Sequence, residues 1–323
     1  MKRISLIFVA LFSFCCFFCQ SQLMSLNEED VTLVTKEGGI KGKLLLPNGE
    51  KTCPVVLLIA GSGPTDMDGN SAIGNMKNNS LKLLAEELVD NGIASLRFDK
   101  RGIASSKVAG KEEAKLRFED YVNDVKGWIN YLAKDKRFTD IIVIGHSEGS
   151  LIGMLACVNQ TEVKAFVSLA GAGRPAYEVI EEQVDSQPEM IKKEVASINE
   201  SLKKGNTVDQ VSMYVQPLFR SSVQPYLISW YKYNPQEAIA SLKIPVLIVQ
   251  GERDIQVSVK DAELLKKSKP AAELLVIKSM NHVLKDCDTM EPQKQVSVYT
   301  NPSLPVNATL ISSLNTFIKN KDE

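Results

Sequence analysis

Short apolar runs alternate with helical patterns along most of this chain, and this alternation strongly restricts its fold. Apolar runs typical of strands buried on both faces lie at residues 54–60, 93–98, 141–145, 163–170, 244–250 and 274–277. Residues with helical spacing lie at 81–90, 118–133, 147–157, 259–267 and 304–318. We therefore predict an α/β fold with a mainly parallel sheet flanked by helices, opened by a hairpin from 31–35 and 41–46.

The alternation stops between residues 172 and 240. This segment is rich in Glu, Lys, Ser and Gln, has helical spacing around 179–202 and then gathers aromatic residues from 214 to 233. We predict a helical cap here, with most of its aromatic side chains packing it onto the sheet. The predicted organisation is a signal peptide at 1–21, a core in two parts at 22–171 and 241–323, and a cap inserted at 172–240.

The first residues form a separate segment. Lys2-Arg3 precedes an apolar stretch at 4–18, which is typical of a signal peptide, so we expect an exported protein, periplasmic or extracellular, that begins near Gln22. A membrane span needs about 20 apolar residues, and this stretch is shorter. A lipid anchor at Cys19 is the alternative, although bulky phenylalanines stand where small residues usually precede an acylated cysteine.

Charge and cysteine content exclude several classes of protein. The 38 Lys and Arg are balanced by 39 Asp and Glu, and because they are interspersed we expect no nucleic-acid partner. Cys53, Cys157 and Cys287 allow one disulfide at most and lack metal-ligand spacing. Asp66 and Asp68 lack the further ligands of a calcium loop. No nucleotide-binding glycine motif is present, so we expect no metal and no cofactor.

The segment 145–149, Gly-His-Ser-Glu-Gly, directly follows an apolar run and has the G-x-S-x-G form. In this form a serine lies on a sharp turn between a strand and a helix, where its hydroxyl is exposed for attack. Glycine is needed on both sides because side chains there would collide with neighbouring backbone. Gly145 and Gly149 satisfy that requirement, which makes Ser147 the candidate nucleophile.

A nucleophilic serine needs a base and an acid that orients the base. The chain has two histidines, and His146 is too close to Ser147 in the chain to swing round to it, so His282 is the candidate base. The acid is expected between the serine and the histidine, after a late strand. Asp254 follows the apolar run that ends at Gly251, and Glu252 is the competing carboxylate.

The oxyanion that forms on attack needs two fixed donors, usually backbone N–H groups. We expect one from Glu148, directly after the nucleophile. The other is expected from the glycine-rich loop at 60–64, with Ser62 as the first choice and Gly63 as the second.

These motifs together resemble a known family. The segments 145–149, 251–254 and 281–282 are similar to the three catalytic segments of the α/β-hydrolase superfamily. The segments 60–70 and 97–102 resemble bacterial esterases with a capped, dienelactone-hydrolase-like core. This resemblance implies an α/β-hydrolase fold and a carboxylesterase that cleaves short acyl esters, with a small-molecule ester as its partner.

Two residues depart from the pattern of those esterases, and two other functions stay open. Ala104 stands where the relatives often have glycine, a change expected to stiffen a loop near the pocket. Met67 stands where they usually have arginine, a change expected to affect substrate preference but no catalytic role. The same three residues could serve a peptidase, a thioesterase or an acyltransferase. A non-catalytic binding protein on the same scaffold is the remaining alternative.

Overall fold

The computed structural model describes residues 27–320. The predicted signal peptide at 1–21 and Cys19 lie outside this range. Eight strands in the described range form one sheet with the order β1-β2-β4-β3-β5-β6-β7-β8. They are β1 (Asn27–Val34), β2 (Gly39–Leu46), β3 (Cys53–Ile59), β4 (Ala94–Phe98), β5 (Phe138–His146), β6 (Val163–Leu169), β7 (Val246–Gly251) and β8 (Glu273–Ile277). The first two strands pair antiparallel and the other six run parallel, which confirms the predicted mainly parallel sheet.

Helices cover both faces of the sheet. They are α1 (Ser80–Asp90), α2 (Phe118–Leu132), α3 (Glu148–Cys157), α4 (Ala176–Gln183), α5 (Glu189–Lys203), α6 (Gln216–Phe219), α7 (Gln224–Trp230), α8 (Pro235–Ser241), α9 (Val259–Ser268), α10 (Pro292–Tyr299) and α11 (Ala308–Lys319). The last helix begins at 308 and not at 304 because the Asn307 side chain caps the Leu310 N–H. The helix α10 was not among the predicted helices.

The central strands are buried on both faces, as parallel strands usually are. In β3, Val55 and Leu57 face a core that also contains α2, α3 and much of the cap. Val56 and Leu58 face a second core with α1 and α11. The three described cysteines are buried free thiols, so they make no disulfide.

The chain between β6 and β7 contains the five helices α4 to α8 and no strand among its described residues. This cap is held on the core partly through aromatic contacts. Trp230 of α7 stacks on Phe118 of α2 with ring centroids 5.6 Å apart, and Ser229 accepts a hydrogen bond from the Phe118 N–H. These contacts place α7 beside the amino end of α2.

Candidate active site

Ser147 lies at the junction of β5 and α3 in a strained backbone conformation. Its φ of 56° and ψ of −123° lie in a region that residues other than glycine rarely adopt. The flanking glycines permit the turn: a Cβ on Gly145 would lie 2.2 Å from the Gly149 carbonyl oxygen, and one on Gly149 would lie 2.5 Å from the Ile59 carbonyl oxygen. The turn therefore presents Ser147 at the carboxyl edge of the sheet.

Asp254 and His282 meet at the same edge, from the loops after β7 and β8. The His282 Nδ1 is 2.7 Å from Asp254 Oδ2. The other carboxylate oxygen of Asp254 accepts hydrogen bonds from the N–H groups of Gln256 and Val257, and the Gln250 amide donates to Oδ2. These bonds fix the carboxylate, so it can hold the imidazole with Nδ1 protonated and Nε2 directed elsewhere.

The electrostatic environment keeps Asp254 ionised. Burial acts to raise its pKa, but His282 and the two backbone N–H groups outweigh burial and lower it below its usual value. The competing carboxylate, Glu252, is exposed, and the carboxylate bonded to the His282 ring is that of Asp254. Of the two candidate acids, the structure thus brings Asp254 to the histidine.

His146 supports the site without serving as its base. Its Nε2 lies 2.8 Å from the His282 carbonyl oxygen, which can only accept, so we assign the proton to that nitrogen. Burial and the neighbouring His282 lower the pKa of His146 to about 3, so its ring is neutral near neutral pH. His146 therefore holds the backbone of His282.

Ser147 and His282 line one cavity of about 230 Å³, together with polar residues of the 60–80 segment. Among the described residues, no hydrogen bond joins the Ser147 hydroxyl to the His282 ring. Such bonds are often long in free enzymes and tighten when substrate binds. The arrangement brings the serine and the Asp254–His282 pair to one space.

Ser147 also borders a second, larger cavity beneath the cap. This cavity has a volume of about 400 Å³. Its apolar lining residues include Leu151, Val179, Ile180, Leu227 and Trp230. The serine therefore lies between a small polar cavity and a larger apolar one.

The two predicted oxyanion donors border Ser147 as well. Glu148 is the first residue of α3, and its N–H therefore has no acceptor within the helix. The Ser62 N–H has no protein acceptor in the described part of the chain. A Cβ on Gly61 would lie 3.1 Å from the Ser147 Cβ, so the glycine-rich loop passes close to the nucleophile.

A buried charged cluster beside these donors was missed by the sequence analysis. Lys100 donates to the Gly61 carbonyl oxygen, and its Nζ is 3.2 Å from Glu148 Oε2. The Tyr226 hydroxyl donates to the other carboxylate oxygen of Glu148. The available signal was the position of Lys100 directly after β4, because functional residues gather at the carboxyl ends of parallel strands.

Asp66 and Asp99 stabilise turns of the backbone. Asp66 accepts the N–H groups of Asp68 and Asn70, and Asp99 accepts the N–H of Met67. No group of three His, Cys, Asp or Glu residues within 27–320 is placed to hold a metal ion. None of the helices in that range is both long and apolar enough to cross a bilayer.

Comparisons with known proteins agree with the fold. The family described as "Serine aminopeptidase, S33" matches residues 75–225, which include Ser147. The esterase EstD of Thermotoga maritima is 28% identical over 274 residues, which cover 80% of this chain. The match spans 60% of the length of EstD.

Solved structures show the same fold at low identity. Est1E from Butyrivibrio proteoclasticus is 19% identical with a TM-score of 0.62, over 91% of this chain and 98% of Est1E. The Pyrococcus furiosus esterase Pf2001 is 19% identical with a TM-score of 0.59, over 93% of this chain and 92% of the esterase. At this level of identity the likeness concerns the fold.

Proposed function

We propose that this chain, which has the α/β-hydrolase fold, is a serine carboxylesterase that works through an acyl-enzyme. The observation that carries the proposal is the meeting of Ser147, on its strained turn, with the Asp254–His282 pair at one cavity. The similarity to EstD, an esterase, supports an ester as the bond that is cleaved.

The reaction follows from the roles of these groups. Ser147 Oγ attacks the ester carbonyl carbon while His282 Nε2 takes the hydroxyl proton, and the imidazolium that forms is stabilised by Asp254. The negative oxygen that develops on the former carbonyl accepts hydrogen bonds from the Ser62 and Glu148 N–H groups. His282 then returns the proton to the leaving alcohol. Water repeats the sequence on the acyl-enzyme and releases the acid.

The two cavities favour an ester with one small group and one larger apolar group. The polar cavity of about 230 Å³ is smaller than the usual range for a drug-sized ligand, about 300–1,000 Å³. The apolar cavity of about 400 Å³ beneath the cap falls within that range. We propose that a short acyl chain occupies the small cavity and that the cap covers the alcohol part.

The decisive variant is Ser147→Ala, assayed on p-nitrophenyl esters from acetyl to dodecanoyl. We expect turnover to fall by roughly 10⁴-fold or more, and the wild type to prefer the short acyl chains. A fluorophosphonate probe should label the wild type and not the variant. Ser150→Ala is the matched control, because Ser150 lies in α3, three residues after Ser147, but its hydroxyl bonds to Ser168. Wild-type turnover by Ser147→Ala would refute the mechanism.

The name of the matched family makes an aminopeptidase the second candidate. An aminopeptidase needs an anion to receive the substrate's terminal ammonium group. The lining residues of the two cavities include one carboxylate, Glu148, and it is already paired with Lys100. Ester hydrolysis is therefore favoured. A panel of esters, thioesters and aminoacyl p-nitroanilides separates the two, and lack of probe labelling would favour a binding protein.

We also propose that the protein is exported and that its signal peptide ends before Gln22. The support is the pattern of Lys2-Arg3 followed by an apolar stretch. Amino-terminal sequencing and intact mass of the exported protein test this. A start near Gln22 is expected, whereas an acylated Cys19 at the amino terminus would establish a lipid anchor instead.

A further inference from the structure

We infer that Lys100 is a positioning residue that holds both oxyanion donors in place before substrate binds. This inference rests on the proposed esterase function. It concerns a residue that contacts neither substrate nor Ser147 and that acts through the backbone beside them.

Lys100 is buried, with 2% of its side chain exposed. Its ammonium donates to the Gly61 carbonyl oxygen, lies 3.2 Å from Glu148 Oε2 and sits 5.0 Å from the centre of the Tyr121 ring. The three donors of the ammonium are thus directed at protein groups. Lys100 lines neither of the two cavities that border Ser147, so it does not bind the oxyanion directly.

The bond to Gly61 determines the direction of the Ser62 N–H. The Gly61 carbonyl and the Ser62 N–H belong to one planar, trans peptide group, in which they point in opposite directions. Holding the oxygen towards Lys100 therefore turns the N–H the other way. Glycine allows a wide range of backbone angles, and Gly61 and Gly63 flank this donor, so an external anchor is needed to keep one orientation.

The second contact of Lys100 reaches the residue that carries the other donor. The Glu148 N–H starts α3 next to Ser147, and the Glu148 carboxylate bonds to Lys100 and to Tyr226 of the cap. One ammonium therefore links the loop after β3 to the first turn of α3. Donors fixed before the reaction stabilise an oxyanion more effectively than donors that must reorient.

The test compares Lys100→Met with Lys266→Met in the full mature protein. Lys266 is the matched control because its ammonium also bonds two backbone carbonyls, those of Pro270 and Ala272, away from both cavities. For Lys100→Met we expect kcat to fall about 10²- to 10³-fold with KM changed little, since the oxyanion forms only after substrate binds. Lys266→Met should keep wild-type kinetics.

A transition-state analogue distinguishes positioning from general support of the fold. In Lys100→Met, inhibition by a trifluoromethyl ketone, which forms an oxyanion on Ser147, should weaken by the same factor as kcat. Binding of the alcohol product, which carries no oxyanion, should not change. Tyr226→Phe keeps the Lys100–Glu148 pair and should lose only a few-fold in kcat.

The double variant Lys100→Met/Glu148→Gln guards against misfolding, because it leaves no unpaired buried charge. It should fold and show the same loss as Lys100→Met. A folded variant with wild-type kcat and analogue binding would overturn the inference, as would an equal loss of analogue and product binding. Absence of probe labelling and ester turnover in the wild type would overturn the proposed function itself, and the inference with it.

Discussion

Two groups of residues support Ser147, and they are held in place in different ways. The base side consists of Asp254 and His282, and the oxyanion side consists of the two backbone donors with Lys100 and the Glu148 carboxylate. On the base side, Asp254 is held by residues two to four positions away in the chain, Gln256, Val257 and Gln250. On the oxyanion side, Lys100 reaches Gly61 across 39 positions and Glu148 across 48. The Asp254 carboxylate is therefore fixed mainly by local turns, although its partner His282 is held by the distant His146. The oxyanion side depends entirely on how distant parts of the fold pack together.

The two sides also differ in how they satisfy buried charge. The Asp254 carboxylate is ionised and receives several hydrogen bonds from neutral donors. Glu148 is paired with a cation, and each side chain is only 2% exposed. Removing one member of a buried ion pair leaves the other charge without compensation. We therefore expect base-side changes to affect the rate most and oxyanion-side charge changes to affect stability as well.

The largest effect is expected from Asp254→Asn on the base side. The amide cannot stabilise the imidazolium and favours the wrong tautomer of His282, so kcat should fall by about 10³- to 10⁴-fold while the fold is kept. Steady-state kinetics and circular dichroism measure the two properties. Glu252→Gln, an exposed neighbour in the same loop, should behave like the wild type. A loss below tenfold for Asp254→Asn would contradict the role given to this acid.

Glu148→Gln addresses the other side and is expected to destabilise the protein by about 3 kcal/mol. The variant keeps its backbone N–H but leaves the Lys100 ammonium without a counter-charge. Urea unfolding gives the free energy. The control is Glu113→Gln, which removes an ion pair with Arg220 that is about two-fifths exposed on both sides and should cost roughly 1 kcal/mol or less. If both variants lost the same free energy of unfolding, the buried pair would matter no more to stability than the exposed one.

This contrast explains which parts of the site could be predicted from the sequence. The turn at Ser147 and the positions of Asp254 and His282 follow from motifs next to apolar runs. They can therefore be predicted from short segments of the sequence. The roles of Lys100 and Tyr226 depend on contacts across 39 to 78 positions. No periodicity or spacing within one segment indicates which residues will meet at such distances.

The same reasoning applies to the helices. Helices α1, α2 and α11 show an apolar stripe, and their positions could be predicted from spacing. The helix α10 buries only Gln295 and Tyr299, so it lacks the apolar stripe that would have revealed it. In the cap, the helical character could be predicted, but the stacking of Trp230 on Phe118 could not, because it joins two distant segments.

A third experiment tests the base side through pH. Because the pKa of His146 falls from 6.5 to about 3 on folding, the unfolded chain binds a proton between these values that the folded protein does not. Stability from this group is therefore lost as pH falls below about 6.5. At about pH 4.5 the loss should reach about 2 to 3 kcal/mol.

In His146→Gln this loss should disappear from the difference between urea unfolding at about pH 7 and at about pH 4.5. Glutamine does not titrate, and its amide can still donate to the His282 carbonyl. Parallel pH profiles for the variant and the wild type would show that His146 is not held neutral in the folded protein.

The backbone strain at Ser147 can be tested independently of the base side and the oxyanion side. Ser147→Gly and Ser147→Ala both remove the hydroxyl, but only glycine tolerates the φ of 56° without steric cost. After allowing for the entropy that glycine loses on folding, we expect Ser147→Gly to be more stable than Ser147→Ala by about 1 kcal/mol. Thermal unfolding of the two inactive variants measures this, and equal stability would mean that the turn is unstrained.

The smallest effect is expected at Ala104, in the loop that follows Lys100. Ala104 has a φ of 40°, in the left-handed region that glycine adopts without steric strain. Ala104→Gly should stabilise the protein by about 0.5 kcal/mol, because the relief of strain exceeds the entropy cost. The rate should not change if the Lys100 contacts alone fix the oxyanion side. A change in kcat without a change in stability would show that this loop also helps to position Lys100, and would extend the oxyanion side beyond the ion pair.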